Sequence, residues 1–313
     1  MNNSTICDID LNADQIFLPV LYGCVFCIGL PTNCLALYGM FCLVKTDYTL
    51  PIYIINLLLA DLLQIGTLPL WMDYYSRGHQ WRFGHAACKI IGCVFYISLF
   101  VSICFMCCVS LERYLAIVHP LWFQSQRMVR NVYLLSLAVW LFFTSAVAVG
   151  FKMGFEGNTT STLCMEEFPS KTDFALFQLV SIPFTFLLPL LFLLFVFFRV
   201  RSSLARSVSL SGQEKRRFNG LLLLIVLMFL LIFGPYHLVR MVRYAGVISV
   251  SDKCHFESRI FLPFQIALGL LSVNAILDPI MYIFIYKSSR EKMLASFPCL
   301  HRMGRSREIG VTP

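Results

Sequence analysis

The hydrophobic positions of this chain fall into seven long runs separated by short polar segments. The runs lie at about 17–44, 51–75, 88–118, 130–151, 174–198, 219–245 and 258–285. Each is long enough to cross the hydrocarbon layer of a bilayer, which takes about 20 apolar residues in a helix. No lipid-exposed backbone group can be left without a hydrogen bond, so the runs are predicted to be helices and not strands. The pattern predicts an all-α membrane protein, a seven-transmembrane helix bundle.

The segments on either side of these runs are more polar. Residues 1–16 are predicted to form an extracellular N-terminus, residues 17–285 the bundle, and residues 286–313 an amphipathic helix and cytoplasmic tail. The stretch KSSREKMLASFPCL alternates basic and apolar residues at helical spacing, which is typical of a helix lying on a membrane surface. We therefore expect a short amphipathic eighth helix, in which Cys299 is either a palmitate acceptor or a free thiol.

Composition narrows the class of protein further. Hydrophobic residues make up 58% of the chain and charged residues 13%, against about 45–50% and about 25% in soluble domains. Too little polar surface remains to cover a water-soluble globule. A soluble enzyme, a small disulfide scaffold and a disordered chain are therefore excluded.

The net charge of +8 is unevenly distributed along the chain. Basic residues concentrate in segments predicted to face the cytoplasm, as around the third inner loop: Arg199, Arg201, Arg206, Lys215, Arg216 and Arg217. This asymmetry follows the positive-inside rule and indicates a plasma-membrane protein with an extracellular N-terminus, not a nucleic-acid-binding protein. Three glycosylation sequons, at Asn2, Asn3 and Asn158, fall on the predicted outer side.

The thirteen cysteines mostly lie within apolar runs, where a free thiol behaves as a small hydrophobic group, and none shows metal-ligand spacing with histidine. Four lie on the outer, oxidising side: Cys7, Cys88, Cys164 and Cys254. Four cysteines allow three pairings. We favour Cys88–Cys164, which ties the second outer loop to the third helix, and this choice leaves Cys7–Cys254 to tie the N-terminus to the seventh.

Ionisable residues inside membrane spans are rare and usually functional. Asp61 lies in the middle of the second span and Asp278 in the seventh, and Ser102 and Asn274 are positioned to complete a polar pocket around them. Two nearby carboxylates do not readily ionise together without a cation. The cluster suits a sodium ion at Asp61 or a shared proton; the alternative is a hydrogen-bonded knot that only orders the bundle. No other cofactor is expected.

A series of short motifs occurs in order along the spans. They are PTNCLAL with Asn33, NLLLAD with Asp61, the triplet Glu112–Arg113–Tyr114, Trp140, Pro189, FGPYH and DPIMY at 278–282. Together they resemble the rhodopsin-like (class A) G-protein-coupled receptors over nearly the whole chain. The resemblance implies that Glu112, Arg113 and Tyr114 serve coupling to heterotrimeric G proteins, with arrestin as a further partner. It also implies that Phe233, Pro235 and Tyr282 belong to the conformational switch.

Finer matches, including TLPLWMDYY and CHFESRIF, resemble the proton-sensing receptors and their lysolipid and oxidised-fatty-acid relatives. In that group a bridge of the Cys7–Cys254 type is common, and acid sensing is attributed to outer histidines and buried carboxylates. The candidates here are His79, His85, His255, Glu166, Glu167 and Asp278. Histidine titrates near pH 6.5, which suits this role, although each could be an ordinary hydrogen-bonded histidine. Gln265 and Phe143 replace ionisable residues of the stronger acid sensors, which favours the lipid-responsive member.

Two arginines near the outer end of the sixth span favour an anionic ligand. Arg240 and Arg243 are three residues apart, so they are expected on one face, where they could clamp the head group of a lysophospholipid or oxidised fatty acid. His237, Phe264 and Gln265 are the other predicted ligand contacts. The alternative is that both arginines reach to lipid phosphates at the interface. The spacing of His237 and Arg240 also resembles nucleotide receptors, which makes a purinergic-like receptor the second ligand class.

Two functions outside the receptor class do not fit these features. A small-solute transporter would show a charged ladder or paired broken helices, and neither pattern is present in the sequence. A membrane enzyme would need a nucleophile–base pair, a metal motif or a phosphate-binding loop, and no such motif is found. We therefore predict a receptor and not an enzyme.

Overall fold

The computed structural model describes residue 7 and residues 9–44, 49–126, 128–154, 163–207 and 211–285, with side chains except at 42–44, 126, 151–154 and 280–285. Seven helices in this part are long and apolar enough to cross a membrane. They are α1 Phe17–Val44, α2 Leu50–Ser76, α3 His85–Val118, α4 Val129–Gly154, α5 Thr172–Arg206, α6 Gly212–Ser249 and α7 at 253–285. The described residues contain no strand, and the predicted seven-helix bundle is confirmed.

The cytoplasmic ends of α5 and α6 extend further than predicted. The apolar runs end at 198 and begin at 219, whereas α5 continues to Arg206 and α6 starts at Gly212. At the start of α6 the Glu214 carboxylate accepts a hydrogen bond from the Ser211 backbone N–H, and the Ser211 hydroxyl accepts one from the Glu214 N–H. This capping box begins a helix in polar sequence, where hydrophobicity gives no signal.

Two π-helical turns interrupt the spanning helices. One covers Pro183–Leu187 in α5 and the other Phe229–Phe233 in α6. Each comes just before a proline, Pro189 in α5 and Pro235 in α6. Proline has no N–H to donate to the preceding turn, so the hydrogen-bond ladder shifts there. The sequence analysis predicts neither these π turns nor the short helix Pro120–Gln126 after α3.

The seventh spanning helix consists of two pieces. Lys253–Leu271 is followed by Asn274–Ile285, and at the junction the Ser272 and Val273 backbone N–H groups bond three residues back. The break places Asn274 at the start of the second piece. The polar cluster predicted around Asp278 is therefore built where the backbone is irregular.

The core of the bundle consists of one large apolar cluster and smaller ones near its outer end. The largest side chains with almost no exposure include Phe105, Phe229, Phe233, Leu57 and Leu58. In contrast, leucines and phenylalanines on the outward faces of α4 and α5 are exposed, including Leu137, Leu141, Phe142, Leu191, Phe195 and Phe198. Exposed apolar faces of this size are expected where lipid, and not water, surrounds a helix.

Disulfides anchor the outer end of the bundle. Cys88 in α3 is bonded to Cys164 in the second outer loop, and Cys7 to Cys254 at the start of α7. Both pairings are those favoured from the sequence. The sequons at Asn2, Asn3 and Asn158, the side chain of Tyr282, the predicted eighth helix and Cys299 lie outside the described residues.

Candidate functional site

The outer end of α2 closes in a hydrogen-bonded turn that positions a histidine. The backbone N–H of His79 bonds to the Tyr74 carbonyl and that of Gly78 to the Tyr75 carbonyl, which is a Schellman motif. Gly78 and His79 both have positive φ angles, 63° and 61°. Glycine takes this conformation freely, and histidine adopts it more readily than β-branched residues do. The turn directs His79 back over the helix, where it is fully buried.

The second outer loop brings a carboxylate to this histidine. Cys164 is fixed to α3 by its disulfide, and its backbone N–H bonds to the Tyr74 hydroxyl at 3.2 Å. Met165 packs against Gly92 of α3 so closely that an added Cβ would lie 2.7 Å from its sulfur. The absence of a side chain at Gly92 therefore lets the loop lie low over the bundle and places Glu166 beside α2.

The segment before α1 supplies a second carboxylate. Asp14 is fully buried, and its backbone carbonyl accepts the N–H of Leu18 as α1 begins. The Gln15 side chain bonds to the Ser76 carbonyl at 2.8 Å, which ties this segment to the end of α2. The Cys7–Cys254 bridge anchors the same segment to α7.

These elements meet in one buried hydrogen-bond network, here called the outer network: Asp14, Tyr74, His79, Glu166 and Gln265. His79 Nδ1 lies 2.6 Å from Glu166 Oε2, and its Nε2 lies 2.9 Å from Asp14 Oδ1. Tyr74 donates its hydroxyl to Glu166 at 2.7 Å, and Gln265 of α7 donates its amide at 2.5 Å. Ionised carboxylates only accept hydrogen bonds, so both ring nitrogens of His79 need a proton to satisfy both contacts.

Protonation of His79 follows from this environment. Burial alone lowers the pKa of His79, but Glu166 and Asp14 raise it more, to about 9. Burial alone raises the pKa of Glu166, and the interactions with His79, Tyr74 and Gln265 outweigh it, so that the pKa lies below its usual range. In this arrangement His79 is an imidazolium between two carboxylates across the physiological pH range, whereas an unperturbed histidine is mostly neutral at pH 7.4.

The other predicted acid-sensing residues lie apart from the outer network. His85 and His255 are exposed, and within the described part of the chain neither imidazole has a hydrogen bond or ion pair. Glu167 is also exposed and pairs with Lys171 at 3.2 Å instead of sharing a site with Glu166. Asp278 lies deeper, in the polar cluster described below. The structure thus brings together His79 and Glu166 from this set.

The predicted arginine clamp is not formed, because Arg240 and Arg243 point to different helices. Arg240 donates to the carbonyl and side-chain oxygens of Gln178 and to the Ser181 hydroxyl, all on α5. Arg243 pairs with Glu257 of α7 at 3.1 Å, and Glu257 also accepts the backbone N–H of Ser170 at 2.8 Å. Three residues advance a helix by about 300°, which leaves room for the two side chains to diverge.

The remaining predicted ligand contacts are also spread out. Phe264 lies under the Arg243 guanidinium, 4.4 Å from carbon to ring centre, and faces the central cavity. Gln265 belongs to the outer network. His237 is buried and stacks on Phe186 of α5 with ring centres 4.8 Å apart. His237 is not among the residues that line the central cavity described next.

A central cavity of about 70 Å³ lies below the outer loop. Nearly half of the residues in its wall are aromatic, and its charged groups are Glu166, Glu167, Lys171 and Arg243. The outer network is therefore in direct contact with the space where a ligand of a helix bundle usually binds.

The four polar residues predicted to meet in the middle of the bundle, Asp61, Ser102, Asn274 and Asp278, do lie together there. Asn274 donates its amide to Ser102 at 3.2 Å and to Asp278 at 2.7 Å, and Asp61 lies close enough to Asp278 to interact electrostatically. All four residues are buried. Among the described residues, buried oxygens without a hydrogen-bond donor occur on Asp61, Asn274 and Asp278. Oxygens of this kind are the ligands that a hard cation such as sodium prefers.

The cytoplasmic end of α3 carries the Glu112–Arg113–Tyr114 triplet. Thr49, at the start of α2, donates its hydroxyl to Glu112 at 2.6 Å. The Tyr114 hydroxyl lies 3.3 Å from the Nε2 atom of His119. Phe233, a predicted switch residue, is fully buried in the π turn of α6 and packs on Phe229 with ring centres 5.0 Å apart.

Several residues of these sites gave no signal in the sequence. Asp14 is an acid in a polar segment before a span, where most acids are solvated, and Tyr74 is one of four aromatic residues in α2. Gln178 and Ser181 are ordinary polar residues of a helix. Among these residues, Glu257 alone could have been found from the sequence. It is separated from Arg243 only by a short loop, and opposite charges at neighbouring helix ends often pair.

The fold and these sites define a class. The chain has seven spanning helices, a polar cluster at mid-membrane and a charged triplet at the inner end of α3. It also has an outer cavity that is closed by a disulfide-anchored loop. Together these features are typical of a ligand-responsive membrane receptor. The chain matches the family model of the 7 transmembrane receptor (rhodopsin family) over residues 32–282. It belongs to this family, whose members are receptors and not enzymes, lie in the plasma membrane and act through heterotrimeric G proteins.

Three relatives of the chain illustrate this similarity. G-protein coupled receptor 68 of Mus musculus is 30% identical over 98% of this chain and 85% of its own length. Probable G-protein coupled receptor 132 of Mus musculus is 30% identical over 93% and 76%. G-protein coupled receptor 65 of Homo sapiens is 29% identical over 93% and 89%. These similarities confirm the resemblance found in the sequence motifs and disfavour the nucleotide receptor and the transporter.

Proposed function

We propose that this receptor is activated by extracellular protons through the outer network, with an anionic lipid as a second ligand. The observation that carries the proposal is the position of His79 between Asp14 and Glu166. A neutral imidazole donates to only one of the two carboxylates, whereas the protonated imidazolium donates to both. The histidine thereby links the N-terminal segment, α2 and the outer loop, and Gln265 adds α7.

The direction of the pH effect follows from the raised pKa of His79. Stabilisation of the docked outer network is fully present below the ordinary histidine pKa of about 6.5 and is lost as pH rises through about 9. If His79 is undocked with its ordinary pKa, the ratio of docked to undocked receptor rises by about 20-fold from pH 8 to pH 6. Acid therefore favours the docked state, which we assign to the signalling receptor.

Replacement of His79 tests this proposal. We expect His79→Gln to reduce the change in second-messenger output between pH 8 and pH 6 to less than about threefold, because glutamine cannot become charged between the two carboxylates. Glu166→Gln is expected to act in the same direction. The measurement is cAMP, inositol phosphate and Rho reporter output in cells that express equal surface amounts of each variant.

Two exposed histidines provide matched controls. His85→Gln and His255→Gln remove an imidazole from the same face of the receptor without touching the outer network, and both should keep the wild-type pH response. A wild-type response in His79→Gln, or an equal loss in His85→Gln, would contradict the proposal.

The lipid part of the proposal is supported by Arg240. This arginine is 4% exposed, and within the described part of the chain it has no carboxylate partner. Buried charges normally have a partner of opposite sign, which a lipid head group supplies. The test is second-messenger output at fixed pH after addition of lysophospholipids or oxidised fatty acids.

Arrestin is proposed as a second cytoplasmic partner of the activated receptor.

We also propose that the cluster of Asp61, Ser102, Asn274 and Asp278 binds a sodium ion. When bound, the ion balances the two carboxylates and holds α2, α3 and α7 together. We expect purified receptor to melt at a higher temperature in sodium chloride than in N-methylglucamine chloride of equal ionic strength. Asp61→Asn should remove this difference in melting temperature. Thr67→Val is the control: it lies more than one turn along α2 from Asp61 and should keep the difference. An equal difference in Asp61→Asn would contradict the assignment.

A further inference from the structure

A second cavity of about 180 Å³ lies between α3, α4 and α5, beside α6. Most of its wall is apolar: Phe100, Phe143, Ala146, Val147, Gly150 and Phe177. Its polar residues are Tyr96 on α3, Gln178, Ser181 and Thr185 on α5, and Arg240 on α6. The cavity thus joins an apolar channel to a single cation, which is the arrangement needed by a molecule with a charged head and an apolar chain.

The cavity opens sideways. Ala146 on α4 is exposed, and Phe177 on α5 is 45% exposed, although both line the cavity. Both residues lie within helices long enough to span the membrane, so their exposed surfaces face lipid chains and not water. A ligand can therefore enter from the bilayer between α4 and α5.

Within the residues that the structure describes, Arg240 at the inner part of this cavity has no carboxylate as counter-ion. Its side chain donates to Gln178 and Ser181, both neutral, while its Nε has no hydrogen-bond acceptor among the described residues. Its neighbour Arg243 is different, because Glu257 neutralises it. An unpaired guanidinium that is 4% exposed gains most from one monovalent anion with two oxygens, which a carboxylate provides in fork geometry.

We propose that this lateral cavity binds a single-chain lipid carboxylate that enters from the outer leaflet. The carboxylate pairs with Arg240, and the chain lies along Phe100, Phe143 and Phe177 and continues into the bilayer. This inference rests on the anionic-lipid part of the proposed function and adds the site, the entry side and the head-group class. A bulkier phosphoglycerol head group would need more polar contacts than the largely apolar wall offers.

The lateral cavity is placed to influence the central one. Tyr96 and Phe174 line both cavities, so they form part of the wall between them. Tyr96 is also hydrogen-bonded to Tyr236 of α6. Thr185 of the cavity lies in the π turn of α5, a kind of irregularity that is frequent at functional sites. Occupation of the cavity therefore acts on α5 and α6, the two helices that carry the π turns.

Photolabelling of the purified receptor in lipid nanodiscs tests the proposal directly. The probe is oleate carrying a diazirine and an alkyne, and the labelled peptides are identified by mass spectrometry. We expect labelling on α4 and α5, competed by oleate but not by its uncharged methyl ester. Arg240→Gln should weaken competition by oleate about tenfold or more, because a charge-assisted hydrogen-bond pair is lost.

A second variant tests the cavity without touching the cation. Ala146→Trp fills the mouth and should abolish labelling, whereas Val149→Trp adds the same bulk to the same helix on an exposed face outside the cavity and should not. Labelling that persists in Ala146→Trp, maps to α2 and α7, or is competed equally by the methyl ester would overturn the proposal. Stronger competition by lysophosphatidic acid than by oleate would overturn the carboxylate assignment.

Failure of this inference is distinguishable from failure of the proposed function. Labelling reports binding without signalling, and it should persist in His79→Gln. A lipid response in cells without labelling at α4 and α5 would remove the lateral site and leave lipid activation intact. Labelling without any lipid response would keep the site and remove lipid activation.

Discussion

Second-messenger output from Arg113→Ala is expected to fall about 30-fold or more, while the surface amount of the receptor stays at the wild-type level. Arg113 lies at the inner end of α3, next to Glu112, whose carboxylate accepts the Thr49 hydroxyl. In the receptor family this arginine meets the C-terminal helix of the G protein. Truncating one charged partner of a buried contact costs about 2 kcal/mol or more, and about 2 kcal/mol corresponds to this loss.

The measurement for Arg113→Ala is reporter output at saturating acid, normalised to surface immunolabelling. Arg130→Ala is the matched control, because Arg130 is an exposed arginine at the cytoplasmic end of α4. It should keep most of the wild-type output. Normal output from Arg113→Ala would contradict the assignment of this triplet to G-protein coupling.

Breaking the Arg243–Glu257 pair is expected to have the largest effect on stability. The pair joins α6 to α7, and Glu257 also holds the outer loop through the backbone and hydroxyl of Ser170. Both charged side chains are buried, at 6% and 1% exposed. Removing one member leaves an unpaired buried charge, which destabilises by about 3–5 kcal/mol. Glu257→Gln should therefore lower the melting temperature of the purified receptor by roughly 5 °C or more.

A double-mutant cycle separates the pair from its surroundings. Arg243→Met together with Glu257→Gln leaves no unpaired charge and should recover much of the melting temperature lost in either single variant. Asp73→Asn is the control, since it breaks a partly exposed pair with Arg77 that is worth about 1 kcal/mol or less. Additive losses in the double variant would show that the two charges do not stabilise each other.

The fold was predictable because hydrophobicity reports the bilayer directly. Each run of about 20 apolar residues has one stable solution in lipid, a helix, so seven runs define the bundle. Hydrophobicity reports nothing beyond the membrane. It missed the cytoplasmic extension of α6, which a capping box at Ser211 and Glu214 starts in polar sequence. It also missed the π turns, which depend on how each proline shifts the neighbouring hydrogen bonds.

A candidate site could be predicted from the sequence where a single residue is of a type that is rare in its segment. Asp61 and Asp278 are ionisable groups inside spans, which marks them without any partner. The outer network differs, because Asp14 and Glu166 are ordinary outer acids until the loops fold over His79. Their contact with His79 depends on the Schellman motif after α2 and on the absence of a side chain at Gly92, which lets the outer loop pack closely on α3. Neither is visible from spacing or composition.

The arginines show why helical spacing alone misleads. Residues three apart are neighbours on a helix surface, which suggested one clamp formed by Arg240 and Arg243. Long side chains at adjacent positions can nevertheless turn to opposite sides, and here each follows its nearest acceptor. Glu257 attracts Arg243 to α7, and the oxygens of Gln178 and Ser181 hold Arg240 at α5. The consequence is two sites instead of one.

Asp14 and Glu166 hold His79 in its imidazolium form. Hydrogen–deuterium exchange at the imidazole C2 position, followed by mass spectrometry from pH 6 to pH 10, measures the pKa of His79 in the purified receptor. We predict a midpoint of about 9, and a lower midpoint in Glu166→Gln and in Asp14→Asn. A midpoint near 6.5, unchanged in these two variants, would contradict the account.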